Sequence, residues 1–307
     1  MMSTVTKQGP ARLARRPPWA FCQAAGLDVL KAPGLERLDW LTHGFSTRQG
    51  GRSRLRGAHV LNLGFTPWDL RACVVENRKK FFRAIDATKM RVVALGQIHS
   101  DISHAIDQSR ARANPSPEGD AVFTREPGIL LTVQTADCIP ILLADTEQRA
   151  VAAIHSGWRG TLARIAVKTL GRMRMEFGTR PEDVIVALGP GIGRCCYEVG
   201  AEVVSEFHAQ FPQANEWFDG PFQSLASGEN DPNWLPWLTM RPPGHAPLPP
   251  RLNLDLIAAN RAMLLEAGVP ARQISASGFC TACRKDIFFS YRREGSTGRM
   301  MSAIGLR

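Results

Sequence analysis

Residues 129–161 read ILLTVQTADCIPILLADTEQRAVAAIHSGWRGT, and any fold of this chain has to accommodate them first. Two apolar runs of strand length are separated by a cysteine, and a third apolar run ends in a histidine. A Gly-Trp-Arg-Gly-Thr turn then opens onto an amphipathic helix, in which Leu162, Ile165, Ala166, Thr169, Leu170, Met173 and Phe177 fall on one stripe until Gly178 ends the run. Cys138 and His155 are thereby placed where the backbone changes direction at the edge of a sheet, the usual position for chemistry on a β-rich scaffold. The helix start carries Gly157, Trp158, Arg159 and Gly160. Free N–H groups, the positive end of a helix dipole and a guanidinium meet there, which suits an anion.

The rest of the chain supplies further elements around this stretch. Residues 41–48 and 90–96 read as strands, the second with Gln97-Ile98-His99-Ser100 at its end, and residues 120–124 lead into the central runs. Between Arg48 and Arg52, Gly50-Gly51 could close its backbone on an anion, although the spacing alone favours a plain hairpin turn. Asp69 is placed to cap a helix through Ile85 with Cys73, Val74, Asn77 and Phe81 on its buried stripe. Residues 183–188 form a strand and residues 198–211 a helix. A second helix, capped by Asn253 or Asp255, runs to Ala267, and residues 288–306 suggest a closing hairpin. Residues 1–20 are basic, Pro-containing and without an apolar core segment, as expected of a disordered tail. The Pro- and Trp-rich residues 219–250 lack periodicity and read as a loop insertion, with Trp217, Trp234 and Trp237 as anchors.

Composition excludes several classes. No apolar run approaches the roughly 20 residues of a membrane helix. The net charge of +10 is scattered, and only two tyrosines could stack on bases, so nucleic-acid binding is not expected, whereas attraction of an anionic substrate is. Seven cysteines without a secretion signal point to a reducing, cytoplasmic setting. Cys195 and Cys196 read as buried thiols, and the single Cys280-x-x-Cys283 lacks a second pair downstream.

Cys138 follows Asp137 and precedes Pro140, which breaks the strand ladder, so it need not be inert packing. With His155, and with His99 or His104 from the earlier strand end, it could form a two-His, one-Cys metal site with an open position. A nucleophilic Cys138 with a histidine base, in a metal-free hydrolase or amidase, is the alternative.

The motifs Gly44-Phe45-Ser46-Thr47-Arg48 with Gly50-Gly51, Gln97-x-His99, Gly119-Asp120-Ala121, Thr135-Ala136-Asp137-Cys138-x-Pro140 and His155-Ser156-Gly157-Trp158-Arg159-Gly160 occur in that order. Gly189-Pro190-x-Ile192-Gly193 with Cys196-Tyr197-Glu198-Val199, and Phe288-Phe289-Ser290-Tyr291-Arg292-Arg293, complete the series. From about residue 41 onward the chain resembles the bacterial laccase-domain family, also known as purine nucleoside phosphorylases and peptidoglycan editing factors. The resemblance implies a single α+β domain over residues 21–307. Its central mixed β-sheets would be flanked by helices in a layered αβ sandwich of the cytotoxic-necrotizing-factor-like cysteine hydrolase type. It implies Zn²⁺ on His99, Cys138 and His155, with Cu²⁺ as an adventitious occupant. It further implies phosphorolysis of adenosine, inosine and guanosine, with adenosine deaminase and methylthioadenosine phosphorylase activity. On this reading Asp137 and Arg159 act in catalysis, and Ser46, Arg48, Gly157, Trp158 and Gly160 contact substrate or phosphate. Ser100 and Ser156 replace the more usual glycine and alanine, and Pro67-Trp68-Asp69 departs from the pattern after Gly64. Seven histidines are too few for the type 1 and trinuclear copper sites of a full laccase.

Overall fold

The computed structural model describes residues 19–112, 116–220 and 252–307. Strands β1 (Ala20–Ala24), β2 (Leu27–Lys31) and β3 (Leu41–Ser46) precede a short hairpin of β4 (Ser53–Leu55) and β5 (Ala58–Val60) and helix α1 (Arg71–Ala84). Then follow β6 (Arg91–Val93), β7 (Ser103–Ala105), β8 (Ala121–Thr124), β9 (Ile129–Thr135), β10 (Ile139–Asp145) and β11 (Ala150–Ser156). Helices α2 (Trp158–Leu162) and α3 (Ile165–Phe177) lead to β12 (Val184–Leu188), β13 (Glu198–Val199), α4 (Ala201–Gln210) and β14 (Phe218–Asp219). Beyond residue 251 lie β15 (Leu252–Leu254), α5 (Leu256–Glu266), β16 (Ile274–Ala276), α6 (Tyr291–Glu294) and β17 (Met300–Leu306).

Two six-stranded mixed sheets, ordered β1-β2-β3-β17-β9-β6 and β16-β12-β10-β11-β8-β7, pack face to face. Side-chain alternation sorts the residues of each strand between layers. Ile129, Leu131 and Val133 of β9 meet Leu142, Ala144, Val151 and Ala153 of the second sheet in one core between the sheets. Leu130 points the other way, onto Phe81 and Ile85 beside α1. Ile141, Leu143, Ala152 and Ile154 face outward onto α3, α4 and α5, with Ile165, Leu170, Met173, Phe207 and Met263. The result is a layered αβ sandwich, helix–sheet–sheet–helices, in a single-domain α+β chain. It explains why β10 and β11 are buried at every position and largely apolar although they pair antiparallel: both faces are covered.

Four segments pass from one sheet to the other: 125–128 between β8 and β9 at one end, and 94–102 between β6 and β7, 136–138 between β9 and β10, and 277–299 between β16 and β17 at the other.

Several sequence expectations need correction. The helix after residue 157 is not continuous: Arg164 adopts φ 59°, closing α2 after little more than one turn, and α3 starts on a new axis. The stripe survives because Leu162 and Ile165 still enter the same core. Asp69 does not cap α1; its carboxylate accepts from Ser53 Oγ (2.6 Å) and Asn62 Nδ2 (2.7 Å), and Leu70 takes the cap position. The strand at 90–96 shortens to β6. Pro140 does not end the ladder: it pairs with His155 as the second residue of β10, near the strand start where a missing N–H is tolerated. Residues 288–306 are not a hairpin. Phe288 and Phe289 are buried, Ser290 caps α6, and β17 pairs with β3 and β9. Asp255 does cap α5, accepting from Ala258 N at 2.9 Å. Almost all of the tail at 1–20 and of the insertion at 219–250 lies outside the described residues; Trp217, at its edge, is buried against Phe207 and Phe211.

Candidate active site

Segments 94–102, 136–138 and 277–299 meet at one end of the sandwich, around a cavity of about 730 Å³. Segment 94–102 contributes Gln97 and His99, segment 136–138 Ala136, Asp137 and Cys138, and segment 277–299 Tyr291, Arg292 and Arg299. The end of β11 and the start of α2 add His155, Trp158 and Arg159.

His99, Cys138 and His155 bring one donor atom each within 4.8 Å of the others. Cys138 Sγ lies 3.8 Å from His99 Nε2, and the two imidazole rings stand edge to face at 4.9 Å between centroids. His155 is buried, Cys138 half-buried and His99 exposed towards the cavity. His104, the other candidate, instead shares its Nε2 with the carbonyl of Glu118 at 2.8 Å.

Asp120 organises this group, a role that its place in the Gly119-Asp120-Ala121 motif does not reveal. It is fully buried, one residue before β8, and β8 runs beside β11, so the carboxylate stands next to His155. Its Oδ1 accepts from His155 Nδ1 (2.8 Å), leaving Nε2 for the centre. Its Oδ2 accepts from Ser100 N (2.6 Å), Ser100 Oγ (2.7 Å) and Ile98 N (3.3 Å), bonds that hold the segment on which His99 adopts φ 59°. Burial alone would raise the Asp120 pKa, but these hydrogen bonds outweigh it and bring it down to about 2. Asp120, not Asp137, therefore sets the orientation of His155.

Asp137 serves the backbone. It sits at φ 100°, a costly conformation for a non-glycine residue. Thr281 Oγ1 (2.6 Å) and Arg292 N (2.7 Å) donate to its carboxylate, and its carbonyl accepts from Ile192 N (2.7 Å). These bonds fix the turn that aims Cys138. Without a metal, burial pushes the Cys138 thiol up, yet the charge and hydrogen bonds of His155 and then His99 bring it down to about 6. In the same pairing His155, which burial would lower, rises to about 9 through Cys138 and Asp120.

The donor set fits a metal ion. Two imidazoles and a thiolate converge, an outer carboxylate fixes one imidazole, and the fourth side opens on the cavity. Gly157 keeps the space clear: a Cβ there would stand 3.0 Å from Cys138 Sγ and 3.1 Å from His99 Cδ2. Among the described residues, the one other group of three or more potential metal donors is a set of four cysteines.

The expected anion contacts are placed unevenly. Arg159 lines the cavity, its guanidinium 4.4 Å above the Trp158 ring, and Arg292 and Arg299 join it there. Arg48 does not: it donates to Glu294 Oε1 (3.0 Å) and to the carbonyls of Lys285 and Phe288, and stacks on Phe289. Ser46 is likewise structural, accepting from Met301 N at 2.9 Å between β3 and β17. Gly160 packs against Ile165 and the Ser100 carbonyl. With only five residues in α2, few peptide dipoles align, so the helix start contributes little compared with the guanidinium groups. The Gly50-Gly51 loop is a structural turn: a Cβ on Gly51 would collide with the backbone of Val60 and Leu61. Both tyrosines of the chain, Tyr197 and Tyr291, line the cavity. Burial raises the pKa of Tyr197, which stays a neutral phenol. They follow Cys196 and Ser290 in two of the motifs, the one signal that could have located them.

Comparison with known proteins finds relatives along most of the chain. A family model described as multi-copper polyphenol oxidoreductase laccase matches residues 42–307. A Deinococcus radiodurans protein named purine nucleoside phosphorylase is 38% identical over 285 residues, covering 92% of this chain and 94% of its own. A protein of an unknown prokaryotic organism named adenosine deaminase RL5 is 37% identical over 186 residues, 60% of this chain and 61% of its own. The crystal structure of YlmD from Geobacillus stearothermophilus superposes with a TM-score of 0.76 at 32% identity, covering 94% of this chain and 100% of that one.

Proposed function

The chain belongs to the multi-copper polyphenol oxidoreductase laccase family, and from that premise we propose that it is a zinc-dependent purine nucleoside phosphorylase. Adenosine, inosine and guanosine are its substrates on this reading, with methylthioadenosine cleavage and adenosine deamination as further activities. One observation carries the proposal: a cavity large enough for a nucleoside joins the three-donor group to three guanidinium groups and three aromatic rings. Copper-cluster oxidation lacks comparable support, because the described residues bring no more than two histidines to the site.

Trp158, Tyr197 and Tyr291 offer flat surfaces to a purine, and Arg159, Arg292 and Arg299 offer charge to phosphate. Phosphorolysis forms a bond between a phosphate oxygen and ribose C1′ while the C1′–N9 bond breaks and the base leaves with its electron pair. The guanidinium groups would hold the phosphate against that carbon and offset its charge as the bond forms. Zinc on His99, Cys138 and His155 would supply Lewis acidity at the cavity wall; Cu²⁺, favoured by intrinsic affinity, would be an adventitious occupant. Asp120 holds His155 in the tautomer that leaves Nε2 free, and Asp137 holds the Cys138 turn. A reducing cytoplasm would keep these thiols available.

The test is release of base and ribose 1-phosphate from inosine and adenosine with and without phosphate, using zinc-loaded protein. Phosphate-independent products, or full activity in Cys138→Ala, would sink the proposal. A second reading draws on the lowered Cys138 and raised His155 pKa values, which suit a metal-free thiolate nucleophile beside an imidazolium. Stoichiometric zinc and resistance of Cys138 to iodoacetamide would exclude it.

A further inference from the structure

Outside the cavity, Cys195, Cys196, Cys280 and Cys283 bring their four sulfurs within 4.8 Å of one another. Cys283 Sγ is 3.5 Å from Cys195 Sγ and 3.4 Å from Cys196 Sγ. The sequence suggests buried thiols and an unmatched Cys-x-x-Cys. Instead Cys195 and Cys283 are exposed, Cys196 and Cys280 half-buried, and the matching pair lies upstream. Two adjacent cysteines can face one point because residues 194–196 form a turn; on a strand they would face opposite ways.

The fold brings the pairs together. Strands β12 and β16 are parallel neighbours, so the loops that follow them leave the sheet at the same end. Gly191 bridges Cys280, and Thr281 N donates to Gly191 O at 3.0 Å. Gly193 N donates to Cys280 Sγ (3.2 Å), and a Cβ on Gly193 would stand 3.3 Å from Cys195 Sγ, so glycine leaves this approach uncrowded. The Arg293 guanidinium donates to Cys196 Sγ at 3.2 Å. An N–H and a cation directed at sulfur are the outer contacts that thiolate ligands need.

We propose that these four cysteines hold one zinc ion in a closed, structural tetrathiolate site, distinct from the His99–Cys138–His155 centre. Tetrahedral coordination with Zn–S of about 2.3 Å sets sulfurs roughly 3.8 Å apart, between the shortest separations here and the 4.8 Å bound on the group. A disulfide would draw two sulfurs to about 2.05 Å and leave two aside; here Cys283 is nearly equidistant from two partners, as around a centre. A multi-iron cluster would spread the sulfurs farther than a single ion does.

The ion would brace one wall of the cavity. Ile192 and Tyr197 flank the upstream pair, and Thr281, between the downstream pair, donates to Asp137. The inference does not depend on phosphorolysis, because it is read by counting metal.

The test is elemental analysis and thiol mapping of full-length protein purified under reducing conditions with zinc supplied. Wild type should carry two zinc ions per chain, and Cys138→Ala one. Cobalt-exchanged Cys138→Ala should show the thiolate charge-transfer and visible absorption bands of a tetrahedral four-sulfur site. Cys280→Ser/Cys283→Ser should lose one zinc and keep the other. If that variant fails to fold, Cys138→Ala alone decides. Cys138→Ala without metal, with iron in place of zinc, with all four thiols open to iodoacetamide, or with a disulfide among them, overturns the proposal.

Discussion

Replacing Asp120 by asparagine removes a charge while changing almost no volume, so its effect comes from the hydrogen bonds it breaks. The buried carboxylate accepts four hydrogen bonds, one from His155 on Oδ1 and three from Ile98 and Ser100 on Oδ2. An amide has one oxygen to offer. If its NH₂ faces His155, the imidazole must shift its proton to Nε2, the nitrogen that belongs to the metal. If it faces Ser100, two strong donors are left opposing a donor, and the segment carrying His99 at φ 59° is released. Either outcome leaves a buried polar group unmatched, at about 1–3 kcal/mol of stability. Loss of such an outer contact lowers metal affinity by roughly 10–100-fold, or about 1.4–2.7 kcal/mol. Zinc competition against a chromophoric chelator measures the affinity, and urea unfolding of the same samples measures stability. Phosphorolysis at saturating zinc should recover most of the wild-type rate. An unchanged zinc affinity in folded Asp120→Asn would refute the role assigned to this carboxylate.

Three other substitutions probe separate parts of the reasoning. Gly157→Ala, at an extended backbone position that alanine can adopt, places a methyl 3.0 Å from Cys138 Sγ; elemental analysis should find the zinc of this centre lost while circular dichroism stays native. Arg159→Met should raise the KM for phosphate roughly 10–100-fold, the worth of a charged hydrogen bond of about 1.5–3 kcal/mol, with little change in nucleoside KM or unfolding midpoint. His43 is buried in β3, where its Nε2 accepts from Ala32 N (3.0 Å), with Lys31 and Glu36 alongside. Burial, and then Lys31, holds its pKa well below 6.5. Below pH 6.5 the unfolded chain therefore takes up a proton that the folded chain refuses, and stability falls as pH drops. Between pH 8 and pH 5 the wild type should lose more stability than His43→Gln in urea unfolding, by at most about 2 kcal/mol, with a limiting slope of about 1.4 kcal/mol per pH unit.

Much of the fold is legible in the sequence because local pattern and tertiary burial agree. The runs at β9, β10 and β11 are apolar on both faces because the sandwich covers both, and α3 and α5 carry stripes that end at Gly178 and Gly268. Errors arise where a local signal has a more distant competitor. Asp69 looks like a cap, but Ser53 and Asn62 claim its carboxylate. The sequence after Phe288 looks like a hairpin, but Met300–Leu306 finds better partners in β3 and β9, more than 150 residues upstream. Arg48 looks like an anion contact, yet Glu294 neutralises it.

The site is legible only in its most local parts, and the topology gives the reason. Cys138 and His155 can be found because the β10–β11 hairpin lies between them and returns the chain to the same end of the sheet. His99 is one of two candidates until Asp120 is seen to tie the segment at Ser100 to His155. Arg292, Arg299 and Tyr291 reach the cavity from the last sheet-to-sheet segment, more than 120 residues beyond α2, where no spacing rule operates. Each of these segments leaves one sheet and enters the other, so its backbone is held by isolated bridges, such as Gly96 with Glu118, and by side chains. Asp120 serves segment 94–102, and Thr281 and Arg292 join 277–299 to 136–138 through Asp137. The same bonds that close the sandwich therefore aim the donors of the site. A substitution at Asp120 or Asp137 should act on fold and metal together, whereas one at Arg159 should act on substrate alone.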